Sequence, residues 1–390
     1  MSSRFMAIGV AQGDAFFLQR EEGYTALVDG GRSVSGFPSE FQRATKCNGV
    51  DVLVCTHNDA DHANGTAGFL QAGLGCNEVW LPASWTDRLE DLFLRPGNFT
   101  DELVENVMAL DEGITRNRER EGSLLEQLGD DYADEGPADE QSESVETDHL
   151  LERALERGIE EELRERDWPY PFAWPSRWGT RLLRGWWQDD RRFRLFLESI
   201  EAGERIRQIA QLAYHRGCQI RWFEYTNSGA AGGIQDKLIP VNAREVLTVR
   251  ARKWSALMYL ALTVANRRSL VFFSPAEAGP GILLTADSDL RFSNPIAWQC
   301  GMIVTAPHHG SESNAAAYAR FQREMPQTGS SIWVRSDGRF RSRPGTSYVN
   351  LKAARFCTIC RGSRQPKQDL LFTLGNQQWQ PVGTRACICK

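Results

Sequence analysis

The sequence predicts an α/β fold in which short buried strands end in loops that carry the functional groups. Short apolar runs alternate with glycine-rich turns in the first part of the chain, which is the pattern expected of strands. Amphipathic helical patterns separate the later apolar runs. Histidines and aspartates follow three of the apolar runs directly. Because binding loops commonly lie at the carboxyl ends of strands in α/β proteins, these three loops form the candidate functional site.

Residues 1–88 are predicted to form a strand-rich first half of the fold. A helix is expected after the fourth strand, around Gly65–Leu74. The five predicted strands are Met6–Val10, Ala15–Leu18, Tyr24–Val28, Val52–Cys55 and Val79–Leu81.

Residues 89–199 differ in composition and are predicted to be a helical insertion, with leucines and charged residues at helical spacing in Leu150–Arg157. Asp130–Asp148 is acidic and poor in apolar residues, which predicts a mobile loop. Residues 167–197 interleave tryptophan and phenylalanine with arginine. The favoured interpretation is the core of a small helical insertion with arginines on its solvated face. Base stacking with phosphate binding and a surface for a protein partner are the alternatives.

Residues 200–355 are predicted to form the second half of the fold. The pattern predicts a helix over Ile206–Tyr214 that stops at Gly217, followed by a strand over Gln219–Tyr225. Residues 356–390 are treated as a separate cysteine-containing C-terminal segment. The other predicted core strands are Ser269–Phe273, Ile282–Thr285, Ile303–Thr305 and Ser331–Val334.

The loop after Val52–Cys55 holds the densest group of metal-binding residue types in the chain. His57, Asp59, Asp61 and His62 fall within six positions. Neutral imidazole suits borderline divalent metals, and carboxylate oxygen suits harder ones. A polar turn in which Asp61 caps the next helix is the plainer alternative. The metal interpretation is favoured because the chain has six histidines and this loop uses two of them.

Two later strand ends carry complementary residue types. Ile282–Thr285 leads to Asp287, and Ile303–Thr305 leads to His308 and His309. Four of the six histidines therefore follow predicted strands. Three strand ends with complementary ligand types are hard to produce by chance, which strengthens the metal interpretation.

At these positions the chain resembles the metallo-β-lactamase-fold hydrolases, whose signature is His-x-His-x-Asp-His after a strand, a later metal-bridging Asp and a terminal His. The likeness is closer to the branch that includes the hydrolase domain of the ComEC DNA-uptake proteins. In that branch an Asp replaces the second His, as Asp59 does here, and His-His-Gly-Ser follows near the end. The likeness covers roughly residues 5–90 and 200–350. The segments that carry it are Val10–Ala15, Leu27–Gly31, His57–His62, Asn266–Val271, Asp287 and His308–Ser311.

The resemblance implies a four-layer αβ/βα sandwich with a helical insertion and a site for two divalent metal ions. Zinc or manganese is expected, with magnesium as an alternative. His308 would help to protonate a leaving group or take a ligand role itself, and Asp61 would also orient the attacking water. The implied ligands are His57 and Asp59 for one ion, Asp61, His62 and His309 for the other, and Asp287 for both.

The chain departs from this family pattern at two positions. Asn266 stands where many relatives of this fold have a third histidine ligand, so the resemblance implies a weaker first metal site. Arg343-Pro344 stands where ComEC-like chains often have His-Pro, so the role of that histidine cannot be filled in the same way here.

The expected substrate class is nucleic acid, cleaved by a metal-dependent phosphodiesterase. Guanidinium groups and small polar side chains near the site suit phosphate, although a solvated arginine loop explains the arginines equally well. Hydrolysis of a small ester, lactone, thioester or cyclic nucleotide is the alternative. A third possibility is a partner-gated effector subunit of a bacterial defence module, with the helical insertion as the docking surface. The predicted phosphate-binding residues are Ser311, Ser313, Asn314, Arg335, Arg339, Arg341 and Arg343.

Composition indicates the setting of the protein. The chain has no run of about eighteen apolar residues and no signal-peptide pattern, so a soluble cytoplasmic protein without a membrane partner is expected. A net charge of −6 argues against general coating of nucleic acid by a basic surface, but it is compatible with a local basic groove.

Four of the nine cysteines form two close pairs near the C-terminus, Cys357-x-x-Cys360 and Cys387-x-Cys389. This spacing can close a tetrahedral zinc site. Paired thiols on neighbouring strands are an equal alternative, and a redox pair is the third.

Overall fold

The computed structural model describes residues 2–110, 122–135, 143–146, 190–325, 331–336, 342–361 and 366–389. Most of the tryptophan- and arginine-rich stretch, and the helical pattern at Leu150–Arg157, lie outside these ranges. The described chain is a mixed α/β protein that divides into two compact units. The first unit comprises residues 1–82, 212–245 and 266–390, and the second comprises residues 83–211 and 246–265.

Within the described ranges, nine strands form the first sheet, in the order β17-β16-β1-β2-β3-β4-β5-β7-β9. β1 pairs antiparallel with β2, and β2 pairs antiparallel with β3. From β3 onwards, β3, β4, β5 and β7 run parallel to one another. The C-terminal segment belongs to this sheet because β16 pairs with β1. The strands are β1 Arg4–Ala7, β2 Phe16–Gln19, β3 Thr25–Val28, β4 Gly49–Val54, β5 Gly75–Pro82, β7 Gln219–Tyr225, β9 Ala243–Val246, β16 Leu370–Gly375 and β17 Gln378–Val382.

A second sheet of six described strands has the order β15-β14-β13-β12-β11-β8. β12 to β15 run parallel, and β11 is antiparallel to both of its neighbours. Parallel pairing of β12 and β13 brings the loops after these strands to one edge of the sheet. The strands are β8 Ile239–Pro240, β11 Phe272–Ser274, β12 Ile282–Leu284, β13 Ile303–Thr305, β14 Ile332–Arg335 and β15 Ala354–Cys357.

The inner faces of the two sheets contribute to one apolar core. Phe16 and Val54 from the first sheet belong to the same buried cluster as Leu284 and Val334 from the second. Alternation along each strand places every second side chain on this face, which is why short runs of valine, leucine and phenylalanine suffice.

Helices pack against the opposite faces of both sheets. Phe41 of α1 (Phe37–Thr45) makes edge contacts with Phe17 of the first sheet and with Phe69 of α2 (Ala60–Gln71). Phe321 of a later helix, Ala315–Glu324, packs edge-on against Trp333 of the second sheet.

The second compact unit is mainly helical. A 3₁₀ turn, Ala83–Arg88, leads into α3 Leu89–Leu94 and α4 Pro96–Ala109. α5 Leu124–Glu135 packs against α7 Ala256–Val264.

The sequence predicts a mobile loop over Asp130–Asp148. This is wrong for the two parts of the stretch that the structure describes. Residues 130–135 form the end of α5, and Glu143–Glu146 forms β6, which pairs with β10, Thr248–Ala251. The acidic composition obscured the helix, which is fixed by buried Leu125 and Leu128.

The predicted helix before Gly217 and the strand over Gln219–Tyr225 are confirmed, and the helix begins earlier than expected. α6 runs over Asp190–His215. The remaining described helices are α8 Ala315–Glu324 and α9 Thr346–Val349. No helix among the described residues is both long and apolar enough to cross a membrane.

Candidate metal centre

The first candidate loop joins β4 to α2. β4 ends at Val54, and α2 begins at Ala60 with Asp59 as its N-cap. The Asp59 Oδ1 atom accepts a hydrogen bond from the backbone N–H of Ala60 at 2.6 Å. The helix therefore starts more than one turn before the predicted Gly65. The capping role falls to Asp59, and Asp61 lies inside the first turn of the helix.

Asp287 lies at the centre of four buried imidazoles and is itself 1% exposed. Its Oδ1 atom is 3.1 Å from His62 Nε2 and 3.8 Å from His309 Nε2. Its Oδ2 atom is 3.9 Å from His57 Nε2 and 3.8 Å from His308 Nε2. The two carboxylate oxygens thus face two different pairs of nitrogen donors.

Asp61 adds a second carboxylate to the Oδ1 side of Asp287. Its Oδ2 is 3.4 Å from His309 Nε2, and its Oδ1 is 3.9 Å from His62 Nε2. Close approach of the β1–β2 loop requires Gly13, because a Cβ atom there would lie 1.7 Å from the carbonyl oxygen of Asp61. Gly13 also has a φ of 94°, which favours glycine.

Two further carboxylates orient the histidines from behind. His62 Nδ1 lies 2.8 Å from Asp29 Oδ2, and His309 Nδ1 lies 3.0 Å from Asp14 Oδ1 and 3.1 Å from the Ser336 carbonyl. Carboxylate and carbonyl oxygens accept hydrogen bonds, so each Nδ1 carries the proton. The Nε2 atoms of both rings therefore face Asp287 and Asp61, and in the neutral rings their lone pairs point there, which is the usual arrangement behind metal-ligating histidines.

Asp14 and Asp29 are the site residues that sequence reasoning missed. Both lie inside the segments that carry the family resemblance, but neither was predicted to belong to the site. Asp29 is held by the backbone N–H and the hydroxyl of Thr56 at 2.9 and 2.8 Å. A usable signal exists for Asp29, because it directly follows the strand that ends at Val28, as Asp287 follows its own strand.

The His308-His309 loop brings two neighbouring imidazoles to the same point through an unusual backbone. Both residues have positive φ angles, 46° and 52°, and Gly310 continues with 83°. Left-handed conformations cost non-glycine residues roughly 1–2 kcal/mol each. Backbone hydrogen bonds hold the loop, including His308 N–H to the Ala286 carbonyl at 3.0 Å and Ser311 N–H to the His308 carbonyl at 2.9 Å.

Several polar atoms at the centre of this cluster are buried without a hydrogen bond. Among the described residues they include His57 Nε2, His62 Nε2, Asp61 Oδ1 and both carboxylate oxygens of Asp287. Native proteins rarely leave buried polar atoms in this state unless another group fills the site. One donor atom each from Asp14, His62, Asp287 and His309 lies within 4.8 Å of the others. This donor set of imidazole nitrogen and carboxylate oxygen fits divalent metal ions.

The electrostatics of the cluster suit cation binding. Burial alone would raise the pKa of Asp287, but the neighbouring imidazole of His62 above all holds it well below its ordinary value. Burial lowers the pKa of His57 to about 4 and that of His308 to about 4, so both rings are neutral at pH 7. The pKa of His62 is raised, because the Asp287 and Asp29 carboxylates outweigh its burial. A metal ion bound there would therefore displace a proton.

Three residues predicted to bind phosphate instead surround His308. Asn314 Oδ1 lies 3.3 Å and Ser313 Oγ 3.2 Å from His308 Nδ1. Asn314 Nδ2 donates to the Asp287 carbonyl at 2.8 Å. Ser311 is buried, and its hydroxyl lies 2.9 Å from that of Ser313. These contacts fix the orientation of the His308 ring.

The four predicted arginines are not equivalent. Arg335 is fully buried, and its guanidinium donates to Cys357 Sγ, the His309 carbonyl and the Ile359 carbonyl at 3.4, 3.4 and 2.6 Å. It therefore supports the loop from inside the protein, contrary to the expectation of a substrate contact. Arg339 and Arg341 lie outside the described residues.

Arg343 is half-buried and reaches the cluster directly. Its Nη2 atom donates to His308 Nε2 at 2.8 Å. The residue that departs from the family pattern thus places a permanent positive charge beside the candidate centre.

Asn266, the other departure, lies in a buried turn. Its carbonyl accepts hydrogen bonds from the backbone N–H and the hydroxyl of Ser269 at 3.1 and 2.8 Å. These two contacts engage the backbone carbonyl of Asn266 and come from Ser269, which is not part of the histidine cluster.

Comparison of the chain with models of known protein families finds no match. A search of curated proteins also finds no match.

Proposed function

We propose that this protein is a metal-dependent hydrolase that cleaves phosphodiester bonds of nucleic acid. The observation that carries the proposal is the division of the buried donors into two sets, one on each carboxylate oxygen of Asp287. A carboxylate with imidazole pairs on both sides is suited to bridge two ions.

The two sets of donors would each hold one ion. His62, His309 and Asp61 would hold one ion with Asp287 Oδ1, and His57 and His308 would hold the other with Asp287 Oδ2. Mixed nitrogen and oxygen donors suit zinc and manganese, and magnesium less well. When bound, such ions activate water and polarise a phosphoryl oxygen.

His308 fits the role of a metal ligand better than that of a proton donor. A proton donor at neutral pH needs a pKa near 7, whereas burial lowers the pKa of His308 to about 4. Its Nδ1 faces Ser313 and Asn314, and its Nε2, which accepts from Arg343 at 2.8 Å, lies 3.8 Å from Asp287 Oδ2.

Asp61 is the residue best placed to hold and orient the attacking water. Its carboxylate lies on the same side of Asp287 as His62 and His309, and one of its oxygens is buried without a hydrogen bond. The neighbouring imidazoles outweigh burial and keep the pKa of Asp61 well below its ordinary value, so it stays an acceptor at neutral pH.

Arg343 supports a phosphate substrate over a neutral ester. Its guanidinium already lies at the centre, 2.8 Å from His308 Nε2, and guanidinium groups bind phosphate oxygens through paired hydrogen bonds. An ion bound at His308 Nε2 would displace the guanidinium from this acceptor.

The contacts of the fold support the four-layer sandwich that the resemblance implies. The two sheets share one core, and helices pack on the outer face of each sheet. We propose on this basis that the chain has the metallo-β-lactamase fold, and from its composition that it is cytoplasmic.

The proposal is tested by cleavage assays on protein that has been freed of metal and reloaded with manganese, magnesium or zinc. Substrates are single- and double-stranded DNA, RNA and a neutral chromogenic ester. We expect wild type to cleave at least one polynucleotide and Asp61→Asn to lose at least 100-fold in rate, because it loses a charged oxygen at the centre. Asp51→Asn is the matched control, because Asp51 binds the backbone N–H and hydroxyl of Thr25 away from the cluster.

The other outcomes separate the alternatives. Turnover of the ester without cleavage of any polynucleotide would contradict the nuclease proposal and indicate a small-molecule hydrolase. Bound metal without activity on any substrate would instead indicate an effector that needs a partner.

Arg343→Ala tests the substrate class separately. We expect selective loss of polynucleotide cleavage that becomes smaller at high salt, because part of the wild-type affinity comes from counterion release. Arg244→Ala is the control, since Arg244 is exposed and pairs with Glu224. Equal loss on the neutral ester would show that Arg343 supports the centre and does not bind phosphate.

A further inference from the structure

A second group of metal-binding residue types lies apart from the histidine cluster. Cys357 is the last residue of β15, and Cys360 follows three positions later. A bridge between Phe356 and Ala386 pairs the C-terminal tail with β15, and the backbone N–H of Cys387 donates to the Arg355 carbonyl at 2.7 Å. This pairing brings Cys387 and Cys389 against the first two cysteines.

The four sulfur atoms converge closely enough to share one metal ion. All four lie within 4.8 Å of one another, and Cys357 Sγ is 3.0 Å from Cys387 Sγ. A zinc–sulfur bond of about 2.3 Å implies sulfur–sulfur separations of roughly 3.8 Å in a tetrahedron. A disulfide joins two sulfurs at about 2.05 Å and offers no reason for four to converge.

Each sulfur also accepts a hydrogen bond from an N–H group. Such bonds are stronger to thiolates than to neutral thiols, because the acceptor is charged. Four sulfurs that each receive an N–H group therefore indicate a cluster built to hold negative charge. The bonds run from Arg335 Nε to Cys357 at 3.4 Å, from Ile388 N to Cys360 at 3.5 Å, from Cys389 N to Cys387 at 3.4 Å, and from Arg361 N to Cys389 at 3.3 Å.

We propose that Cys357, Cys360, Cys387 and Cys389 bind one structural zinc ion as thiolates. The four thiolates fill all positions of a tetrahedral ion, so the site has no open position for catalysis. Three of the four cysteines are buried and Cys387 is half-buried, which suits a closed structural site. This proposal does not depend on the proposed hydrolase function.

Arg335 connects this site to the histidine loop. The same guanidinium donates to Cys357 Sγ and to the His309 carbonyl. Four thiolates and a divalent ion carry a net charge of −2, which favours a buried guanidinium beside them. The zinc ion would thus fix the C-terminal tail and, through Arg335, support the backbone of His309.

The proposal is tested by metal analysis of the full chain, prepared under reducing conditions with zinc. Asp287→Ala serves as the background, because it removes the shared ligand of the histidine cluster. We expect one zinc per chain in this background, and its loss when Cys360→Ser and Cys389→Ser are added. Replacement of zinc by cobalt should give a thiolate-to-cobalt charge-transfer absorption that disappears in the same variant.

The chain offers a matched control in Cys76 and Cys218. Their sulfurs also lie 3.0 Å apart, but among the described residues no further metal-binding side chains join them in a cluster. Cys76→Ser with Cys218→Ser should leave both the zinc content and the cobalt spectrum unchanged.

A measurement on wild type covers the case in which the cysteine variants do not fold. Four thiols should resist alkylation in the zinc-loaded protein and become reactive after a strong chelator is added. Full alkylation without chelator, or a disulfide within the cluster in protein that retains no cysteine-dependent zinc, would overturn the proposal. Either result would leave the proposed function of the histidine cluster untouched.

Discussion

Asp29→Asn is the change that most sharply tests how the fold prepares the histidine cluster. Asp29 is 1% exposed and accepts three hydrogen bonds, from His62 Nδ1 at 2.8 Å and from the backbone N–H and hydroxyl of Thr56 at 2.9 and 2.8 Å. An asparagine oxygen can still accept from Thr56, but an amide group facing His62 donates. The ring then keeps its proton on Nε2, the atom that faces Asp287.

The expected magnitude follows from the role of His62. Loss of a carboxylate behind a ligating histidine typically weakens metal binding 10- to 100-fold, which is about 1.4–2.7 kcal/mol. We expect a loss in this range for manganese measured by titration calorimetry, with a parallel loss in the rate of polynucleotide cleavage. The free energy of unfolding of the metal-free protein should fall by about 1.5–3 kcal/mol, because a hydrogen bond to a charged group is lost.

Asp51→Asn is again the matched control. Asp51 Oδ2 accepts from the backbone N–H and hydroxyl of Thr25 at 2.8 and 2.9 Å, which repeats the Asp29–Thr56 contact one strand away without a histidine. Manganese affinity should be unchanged in this variant. An Asp29→Asn protein that binds manganese as tightly as wild type would refute the orienting role of Asp29.

Two further predictions concern stability, measured by chemical denaturation. Gly65→Ala should lower the free energy of unfolding by about 3 kcal/mol or more despite the better helix propensity of alanine, because the new Cβ would lie 1.8 Å from the Gly30 carbonyl oxygen. Gly75→Ala is the control: its Cβ would meet nothing within 4 Å, so stability should change by less than about 0.5 kcal/mol. Similar losses in both variants would contradict the close packing at Gly30. The other prediction concerns the ion pair between Glu102 and Arg88. Partial burial would raise the pKa of the Glu102 carboxyl, but the Arg88 guanidinium holds this pKa below its ordinary value. The ion pair therefore stabilises the fold fully above the unfolded-state pKa of about 4.3, and this stabilisation is lost as pH falls through the folded-state pKa. Glu102→Gln should therefore lower stability by about 1 kcal/mol at pH 7, after allowance for solvent screening, and by little in acid. A pH-independent difference would show that charge is not the cause.

Local patterns in the sequence predicted the strands and the principal site residues. Each apolar run in Val52–Cys55, Ile282–Thr285 and Ile303–Thr305 lies at an observed strand, and the polar residues after them converge on Asp287. This works because burial and residue type are both visible in a few consecutive residues. His57 joins the cluster for the same reason.

Long-range pairing was not visible in the same way. His62 meets Asp29 across 33 positions, and His309 meets Asp14 across 295. Asp14 lies in the loop between β1 and β2, where no local pattern distinguishes an orienting carboxylate from a turn residue, and the strand end before Asp29 is a weak signal when taken alone.

Some side chains could bind either the site or a nearby group of the protein, and the sequence does not show which. Asp59 was predicted as a metal ligand, and its Oδ1 atom caps the helix that follows; the ligand role stays a prediction. Arg335 has the residue type of a phosphate contact, but it lies inside the protein between Cys357 and His309. Residue type alone cannot decide between these roles, because each side chain binds whichever partner the fold brings within reach.

The measurement that tests the central claim most directly is a manganese titration of metal-free protein by calorimetry. Manganese prefers oxygen and imidazole donors over thiolates, so it reports on the histidine cluster and not on the cysteine cluster. We predict saturable binding to wild type and to the Cys360→Ser, Cys389→Ser variant, and its loss in Asp287→Ala. Binding that is unchanged in Asp287→Ala, or absent from folded wild type, would contradict the assignment of this cluster as a metal centre.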